Sequence, residues 1–439
     1  MESKKAVIHC GYVRKVLSKM KAECFDACFC DPPYGLDFMS KNWDHGVPST
    51  RVWKGVYRVL KPGSFLLAFG GTRTFHRLAC NIEDAGFEIR DCCMWVYGSG
   101  FPKSQDISKA IDKVAGASRK VIGVKPGHGE FANRTTKGHI DFKDGTEGFD
   151  RPWMHNDESR KQYHLATAPA TPEAEKWDGW GTALKPAWEP IIVARKPVVG
   201  TVAQNVLKYG TGGINIDGCR IELNGDYKSK ANGRPSQTGL GDNYDSSKAN
   251  KPDTVGRWPA NILHDGSDDV VKLFPESKGQ LFNVKGTESS RIGGDKTNCY
   301  SGGAARFFYC AKASKSERDA GLNGFPLKSS SKMGAGIRSS VGLKREGTTS
   351  SEDRVSKNHH PTVKPLSLNK YLAKLILLPD GRKRKLLVPF SGSGSEMIGA
   401  LKAGWDRVCG IEKETDYVDI AEKRLRHWNK CDVDVYDWE

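Results

Sequence analysis

The 439-residue sequence has no long hydrophobic run. No stretch approaches the roughly 18 apolar residues that a membrane-spanning helix requires. Met1 to Lys5 lead directly into the short apolar run Ala6-Val7-Ile8, which is too brief for the core of a secretory signal. These absences predict a soluble, cytoplasmic protein without a membrane partner.

Paired cysteine motifs are missing as well. The chain has 12 cysteines, but its length and the lack of a secretory signal are typical of reduced thiols. Cys24, Cys28 and Cys30 cluster with C-x3-C-x-C spacing on an apolar stretch, and no C-x2-C pair accompanies them, which argues against zinc. His359 and His360 are the other candidate ligands, but their neighbouring motif favours a cofactor loop. We therefore expect no metal site.

Acidic residues are the smaller charged group. Sixty-eight Lys and Arg against 52 Asp and Glu give a formal charge of +16. Such a surplus favours a polyanionic partner, because basic side chains placed on phosphates release counterions. Charge alone is equally compatible with a soluble basic protein that binds no nucleic acid.

Alternating strand and helix patterns occupy both ends of the chain. Residues 6–97 contain apolar strands and amphipathic helices separated by Gly and Pro turns, and the same pattern returns after His360. This order predicts an α/β fold: a mostly parallel, Rossmann-like sheet built from both chain ends. Between them, residues rich in Gly, Ser, Lys and Asn predict a large inserted variable region.

The pattern divides the chain into five segments. They are an N-terminal α/β half at 1–115, a variable insert at 116–183, a return strand to the core at 184–200, a second variable region at 201–356, and a C-terminal α/β half at 357–439. The apolar islands Trp188–Val193 and Ala304–Cys310 are predicted to be strands.

The motif Asp31-Pro32-Pro33-Tyr34 stands at the carboxyl end of a predicted strand. Two prolines fix the backbone and lack N–H groups, so nearby carbonyls are free to face a ligand. A carboxylate beside a carbonyl can accept both hydrogens of an NH2 group, and an aromatic ring can stack on a flat base. Asp31 can also take up the proton that such an amine loses when it reacts as a nucleophile. A Pro-rich turn with a capping Asp is the alternative.

A second motif, Phe390-Ser391-Gly392-Ser393-Gly394, follows an apolar strand. Glycines at such a turn allow close approach of a cofactor, and Glu412, at the end of the next strand, can bind ribose hydroxyls. An NAD site is the competing interpretation. However, Met397 stands where a G-x-G-x-x-G motif has its third glycine, and no Walker lysine follows.

Together these motifs resemble the S-adenosylmethionine-dependent DNA amino-methyltransferases of the β class. Asp31–Tyr34 match the family's catalytic motif, Phe390-x-Gly392-x-Gly394 match its cofactor motif, and the catalytic motif comes first. The resemblance implies that Asp31, Pro32, Pro33 and Tyr34 hold a flipped base. It also implies that Phe390 to Gly394 border S-adenosylmethionine, that Glu412 binds its ribose, and that Thr362 and Lys364 bind its carboxylate.

Two positions depart from the family pattern. Val388 stands where the family usually has Asp before the glycine motif, and Tyr12 follows Gly11 where Gly-Asp is common. Both departures put cofactor affinity in question.

The expected reaction is methylation of adenine N6 in duplex DNA. Cytosine N4 is the nearest alternative, because that subgroup more often has Ser in place of Asp31. RNA or protein amide methylation and a DNA-binding relic without activity are further alternatives.

DNA contacts are predicted in the middle of the chain. Lysine, arginine and aromatic residues there suit phosphate contact and stacking; the candidates are Arg257, Trp258, Lys208, Tyr209 and, in the loop after the catalytic sheet, Lys103. The resemblance also suggests a homodimer and a nucleoid-associated location. It leaves open whether a restriction enzyme accompanies the protein.

Overall fold

The computed structural model describes most of both chain ends and parts of the middle. The described residues are 5–35, 46–98, 100, 104–124, 165–221, 256–274, 276–277, 302–303, 308–310, 317–325, 328–330, 354–360 and 362–438. The statements below concern these residues.

Helices and strands alternate along both ends of the chain. The helices are α1 (Val13–Lys19), α2 (Thr50–Val59), α3 (Phe75–Glu83), α4 (Ile107–Val114), α5 (Pro172–Lys176), α6 (Val202–Tyr209), α7 (Asp268–Val271), α8 (Leu366–Leu375), α9 (Ser395–Ala403) and α10 (Thr415–Asn429). The strands are β1 (Lys5–Cys10), β2 (Ala27–Cys30), β3 (Phe65–Phe69), β4 (Glu88–Val96), β5 (Val121–Val124), β6 (Leu165–Thr167), β7 (Trp188–Arg195), β8 (Ile262–His264), β9 (Glu276–Ser277), β10 (Gly302–Gly303), β11 (Tyr309–Cys310), β12 (Lys328–Ser330), β13 (Arg354–Ser356), β14 (Lys385–Pro389), β15 (Arg407–Glu412) and β16 (Asp432–Asp437).

A ten-stranded sheet organises the first of two compact units, which comprises residues 1–99, 187–332 and 353–439. Its order is β11-β8-β4-β7-β3-β2-β14-β15-β1-β16. Strand β7 runs antiparallel to β3 and β4, and the other neighbouring pairs are parallel. Strands from the two chain ends pair where β2 meets β14 and where β1 lies between β15 and β16. The predicted α/β fold, a mostly parallel sheet assembled from both ends, is confirmed.

Helices cover both faces of this sheet, as parallel strands buried on two sides require. Alternate residues of the central strands enter different core clusters, with Phe29 in one and Cys28 and Cys30 in the other. Helices α8, α9 and α10 contribute to the first cluster and α1, α2 and α3 to the second. Each chain end therefore supplies the helices for one face of the sheet.

The second unit comprises residues 100–186 and 333–352. Its described part contains α4, α5 and the antiparallel pair β5–β6. Buried Asp112 connects these elements, because its carboxylate pairs with Arg119 at 2.6 Å and accepts hydrogen bonds from the Thr171 backbone N–H and hydroxyl. Within the described residues of the whole chain, no helix is both long and apolar enough to cross a membrane.

The predicted elements differ from the observed ones mainly at their ends. The island at Trp188–Val193 extends to Arg195, whereas only Tyr309–Cys310 of the island at 304–310 form a strand among the described residues. The sequence analysis missed β16, which pairs in parallel with β1. Its alternation of acidic and apolar residues fits an edge strand with one solvated face.

Candidate active site

The site residues predicted from the two main motifs lie at one edge of the sheet. Asp31 follows β2, Phe390 follows β14 and Glu412 ends β15, and these three strands are adjacent and parallel. Because β7 runs in the opposite direction, its first residues, including Glu189, reach the same edge. Ligands of open α/β sheets bind beyond the carboxyl ends of the strands, which makes this edge the candidate site.

The Asp31–Tyr34 motif is held in a defined conformation. The Tyr34 hydroxyl donates to Asp31 Oδ1 at 2.7 Å, and the Thr74 hydroxyl donates to the Tyr34 carbonyl at 2.6 Å. Burial, reinforced by the nearby charges of Asp31 and Glu189, raises the pKa of Tyr34 well above its usual value. Tyr34 therefore keeps its proton and acts as a hydrogen-bond donor to Asp31.

Lys364 lies beside the catalytic motif. Its Nζ is 3.0 Å from Asp31 Oδ2, 3.0 Å from the Tyr34 hydroxyl and 3.0 Å from Glu189 Oε2. Burial lowers the pKa of Lys364, but the carboxylates of Asp31 and Glu189 raise it by more, so the net shift is upward. The ammonium stays charged. Its predicted role at the cofactor carboxylate stays a prediction, since the contacts in this structure are with Asp31, Tyr34 and Glu189.

Glu189 is a residue that sequence reasoning missed. Its carboxylate contacts Lys364 and accepts a longer hydrogen bond, 3.4 Å, from the Tyr34 hydroxyl. The sequence does contain one signal for Glu189, which is an acidic residue inside the apolar run from Trp188 to Val193. A carboxylate in such a strand needs a polar partner.

The glycine motif forms a tight turn between β14 and α9. Phe390, Gly392 and Gly394 all have positive φ angles, of 63°, 47° and 79°. A Cβ atom on Gly392 would lie only 2.7 Å from His360 Nε2, so the absence of a side chain lets the two segments meet. The non-glycine Phe390 in a left-handed conformation marks local strain of the kind that clusters at functional sites.

Glu412 is tied to this turn by backbone donors. Its Oε2 accepts from the Gly392 N–H at 2.8 Å, and its Oε1 accepts from the N–H groups of Lys413 and Glu414. Burial raises the pKa of Glu412, and the three backbone hydrogen bonds oppose that rise. Oε1 thus accepts two hydrogen bonds, whereas Oε2 accepts one and has a further lone pair that can accept from a hydroxyl.

The turn has features that suit a nucleoside cofactor. The buried Ser391 hydroxyl finds no hydrogen-bond partner within the part of the chain that the structure describes. This hydroxyl lies next to the glycine turn and the Glu412 carboxylate, where a polar ligand could supply the missing hydrogen bond. The residues present therefore fit S-adenosylmethionine.

The segment containing Thr362 reaches the turn through His360. His360 Nδ1 is 2.6 Å from the Thr362 carbonyl, and its ring packs edge-on against Tyr417 with centroids 4.6 Å apart. Burial lowers the pKa of His360 to about 4, so the ring is neutral at physiological pH. His360 therefore acts as an uncharged wall of the turn.

Two further buried charges that sequence reasoning missed support the turn. Arg424 on α10 is fully buried and donates to the hydroxyls of Ser393 and Ser395, each at 3.0 Å. Glu396 on α9 is also buried, and burial, followed by the charge of Asp31, raises its pKa to about 7. Charged residues on amphipathic helices usually face solvent, so neither position stands out in the sequence.

The residues predicted to contact DNA are not gathered at this site. Lys208 and Tyr209 end α6, where the Tyr209 carbonyl accepts a hydrogen bond from Arg382. Arg382 also contacts Asp26, which precedes β2, so these residues lie at the edge opposite to Asp31.

Trp258 has 64% of its surface exposed, and the Arg220 guanidinium lies 5.5 Å from its ring centroid. Neighbouring Arg257 pairs through its backbone with Ile221. Lys103 lies outside the described residues.

The two departures from the family pattern have different surroundings. Val388 is fully buried in the core cluster that contains Phe29, whereas Tyr12 is 68% exposed.

Among the described residues, no group of three or more His, Cys, Asp or Glu side chains is placed to hold a metal ion.

A mostly parallel sheet that brings a carboxylate–proline motif, a glycine turn and a buried glutamate to one edge is the arrangement of an α/β enzyme that binds a nucleoside-containing cofactor. A DNA methylase family with N6 and N4 specificities matches residues 25–423, and the chain belongs to this family. Membership confirms the predicted class of DNA methyltransferase and the predicted cofactor, S-adenosylmethionine.

Individual relatives match shorter stretches. The type II methyltransferase M.HinfI of Haemophilus influenzae is 40% identical over 90 residues, which cover 20% of this chain and 24% of that protein. M.HindIII of the same species is 24% identical over 162 residues, covering 36% and 35%. The chain thus spans about a quarter to a third of the length of these curated relatives. Among solved structures, the cytosine-N4-specific PvuII DNA methyltransferase aligns at 10% identity and a TM-score of 0.40, covering 99% of this chain and 98% of that one.

Proposed function

We propose that this protein transfers the methyl group of S-adenosylmethionine to N6 of adenine in duplex DNA, with the target base flipped into the pocket at Asp31. The observation that supports this most directly is the position of Asp31 directly after β2, beside the strand that leads into the glycine turn. A cofactor at that turn and a base at Asp31 would be neighbours at one edge of the sheet.

The chemistry follows from the acceptors at the motif. S-adenosylmethionine, when bound, supplies an electrophilic methyl group on a sulfonium. Asp31 and the Pro32 carbonyl accept the two hydrogens of the target amine and direct the nitrogen lone pair toward that methyl group. As the N–C bond forms and the S–C bond breaks, Asp31 takes the proton that the nitrogen loses. Tyr34 borders the base, and extrusion costs a few kcal/mol that stacking and hydrogen bonds offset.

Adenine is favoured over cytosine by the carboxylate itself. The motif has Asp31 where enzymes that act on cytosine N4 more often have Ser. The order of the motifs, with Asp31–Tyr34 before Phe390–Gly394, supports assignment to the β class and its DPPY type.

The direct test is analysis of methylated nucleosides. DNA incubated with the protein and labelled S-adenosylmethionine is digested, and the labelled nucleoside is identified by mass spectrometry. We expect N6-methyladenine from the wild type and none from Asp31→Ala, which should still bind DNA and cofactor. N4-methylcytosine would move the proposal to the alternative target, and near-normal turnover by Asp31→Ala would refute the role of Asp31.

We also propose the wider organisation that the resemblance implies. Residues 1–115 form the catalytic half and residues 357–439 the cofactor-binding half of the methyltransferase domain, with the return strand at 184–200 between them. Residues 116–183 are a variable insert, and residues 201–356, which also supply β8 and β11 to the large sheet, are the target-recognition region. The protein acts as a homodimer on duplex DNA in the cytoplasm, at the nucleoid. A companion restriction enzyme is not part of the proposal.

A further inference from the structure

Both carboxylate oxygens of Asp31 already accept a hydrogen bond in the free protein. Oδ1 accepts from the Tyr34 hydroxyl and Oδ2 accepts from Lys364. Each oxygen keeps a further lone pair, but a target amine must still share the carboxylate with a buried ammonium that competes for its charge. Charge-assisted hydrogen bonds of this kind are roughly twice as strong as neutral ones, so this competition opposes base entry.

Glu189 offers Lys364 a second carboxylate. Its Oε2 is 3.0 Å from Lys364 Nζ, which equals the distance from that nitrogen to Asp31 Oδ2. The side chain of Lys364 is only 6% exposed, so water is a poor substitute for either partner. An ammonium with two carboxylate partners can relinquish one of them and remain paired, whereas an ammonium with one cannot.

The backbone fixes Glu189 in this place. It lies in the register of β7 opposite Trp95 of β4, between Trp188 and Pro190. Strand β3 separates β7 from β2 in the sheet. Glu189 and Asp31 therefore contact Lys364 from two different strands.

We propose that Glu189 is a positioning residue for methyl transfer: it retains the Lys364 ammonium while the target amine occupies Asp31. This inference rests on the function proposed above. Glu189 does not contact the reacting atoms in this scheme, and no proton or electron pair passes through it. It acts by keeping Lys364 from binding Asp31 alone.

The variant Glu189→Gln tests the role, because Gln keeps the shape and removes the charge. Lys364 then has Asp31 as its remaining carboxylate partner among the described residues, and the target amine competes against a tighter pair. We expect the single-turnover rate of methyl transfer to fall about 10- to 100-fold, the scale of a misplaced reacting group. The dissociation constants for S-adenosylmethionine and DNA should change by less than about threefold.

A double-mutant cycle with Lys364→Met identifies the mechanism. If Glu189 acts through Lys364, adding Glu189→Gln to Lys364→Met should cause little further loss, so the two effects are strongly non-additive. Glu189→Asp, which keeps a carboxylate, should recover part of the rate. Glu88→Gln is the matched control, because Glu88 pairs with Arg195 at the opposite end of the same two strands, and we expect nearly normal transfer.

Each outcome has a separate meaning. Wild-type protein that transfers no methyl group to DNA refutes the proposed function. Active wild type together with an equally active Glu189→Gln, or with additive losses in the cycle, overturns the inference alone. A loss of Glu189→Gln activity that equals its loss of cofactor affinity also overturns it. Thermal unfolding of each variant checks the fold, and the Asp variant keeps the test decisive if Gln prevents folding.

Discussion

Replacing Gly392 by Ala should separate cofactor binding from general stability. Gly392 has a φ of 47°, a left-handed conformation that costs an alanine about 1 kcal/mol. The new Cβ would also lie 2.7 Å from His360 Nε2 and force that ring to move. His360 is held by the Thr362 carbonyl at 2.6 Å, and losing such a hydrogen bond costs about 1 kcal/mol. The expected loss in the free energy of unfolding is therefore about 2 kcal/mol.

The same movement should weaken S-adenosylmethionine binding. The His360 segment and the Gly392 turn would separate, and the Gly392 N–H that holds Glu412 would shift with them. A cost of about 1.4–3 kcal/mol in the bound state corresponds to roughly a 10- to 100-fold higher dissociation constant. Isothermal calorimetry measures the affinity, and urea unfolding measures the stability.

Gly324→Ala is the matched control for this variant. Gly324 also has a left-handed φ, of 80°, but no atom of the described residues, its chain neighbours aside, lies within 4 Å of a Cβ placed there. It should lose about 1 kcal/mol of stability and no cofactor affinity. If Gly392→Ala bound S-adenosylmethionine as tightly as Gly324→Ala does, the cofactor would not lie against this turn and our reading of it would be wrong.

Three other predictions concern pH, DNA and assembly. The pKa of Glu396 in the folded protein, about 7, exceeds its ordinary value of 4.5. The folded state therefore binds more protons than the unfolded state between these pH values, and the free energy of unfolding should fall by roughly 1–3 kcal/mol as pH rises through them. Glu396→Gln should flatten that part of the profile of unfolding free energy against pH, and an unchanged slope would contradict the raised pKa of Glu396. Binding to duplex DNA should weaken steeply with salt because of the charge of +16. Arg257→Ala should reduce discrimination between DNA sites, measured by competition binding. Equal losses of affinity at all sites would instead make Arg257 a phosphate contact. Light scattering should find a homodimer at working concentration, with or without a specific duplex, and a monomer in both conditions would refute it.

The sequence predicted the fold because its signals are local. Short apolar strands that end in Asp31, Phe390 and Glu412, separated by helices and glycine turns, already define parallel strands whose carboxyl ends meet. The family match then confirmed the class and the cofactor. These features depend on periodicity and on turn residues, which a single sequence displays directly.

The missed residues depend on contacts between distant segments. Glu189 meets Lys364 only because β7 is antiparallel, and nothing local to Trp188–Arg195 encodes its direction in the sheet. In the sequence, Arg424 resembles any charged residue on an amphipathic helix. Its role depends on the packing of α10 against the glycine turn, where Arg424 donates to Ser393. Likewise, Lys208 and Tyr209 have a composition typical of DNA contact, but only the structure places them at the edge away from Asp31.

The antiparallel strand β7 has a consequence for the insertions that the sheet can tolerate. Val96 at the end of β4 pairs with Trp188 at the start of β7, and the Tyr97 N–H donates to the Ala187 carbonyl at 2.9 Å. Residues 97–187 therefore leave the sheet and return to it at adjacent points, as the loop of a hairpin does. Loop-closure entropy grows only slowly with length, so segments of very different size can be exchanged at this junction at little cost to the sheet. We therefore expect that residues 97–187 can be replaced by a segment from another methyltransferase, or by a short turn, without loss of the β4–β7 pairing that includes Glu189.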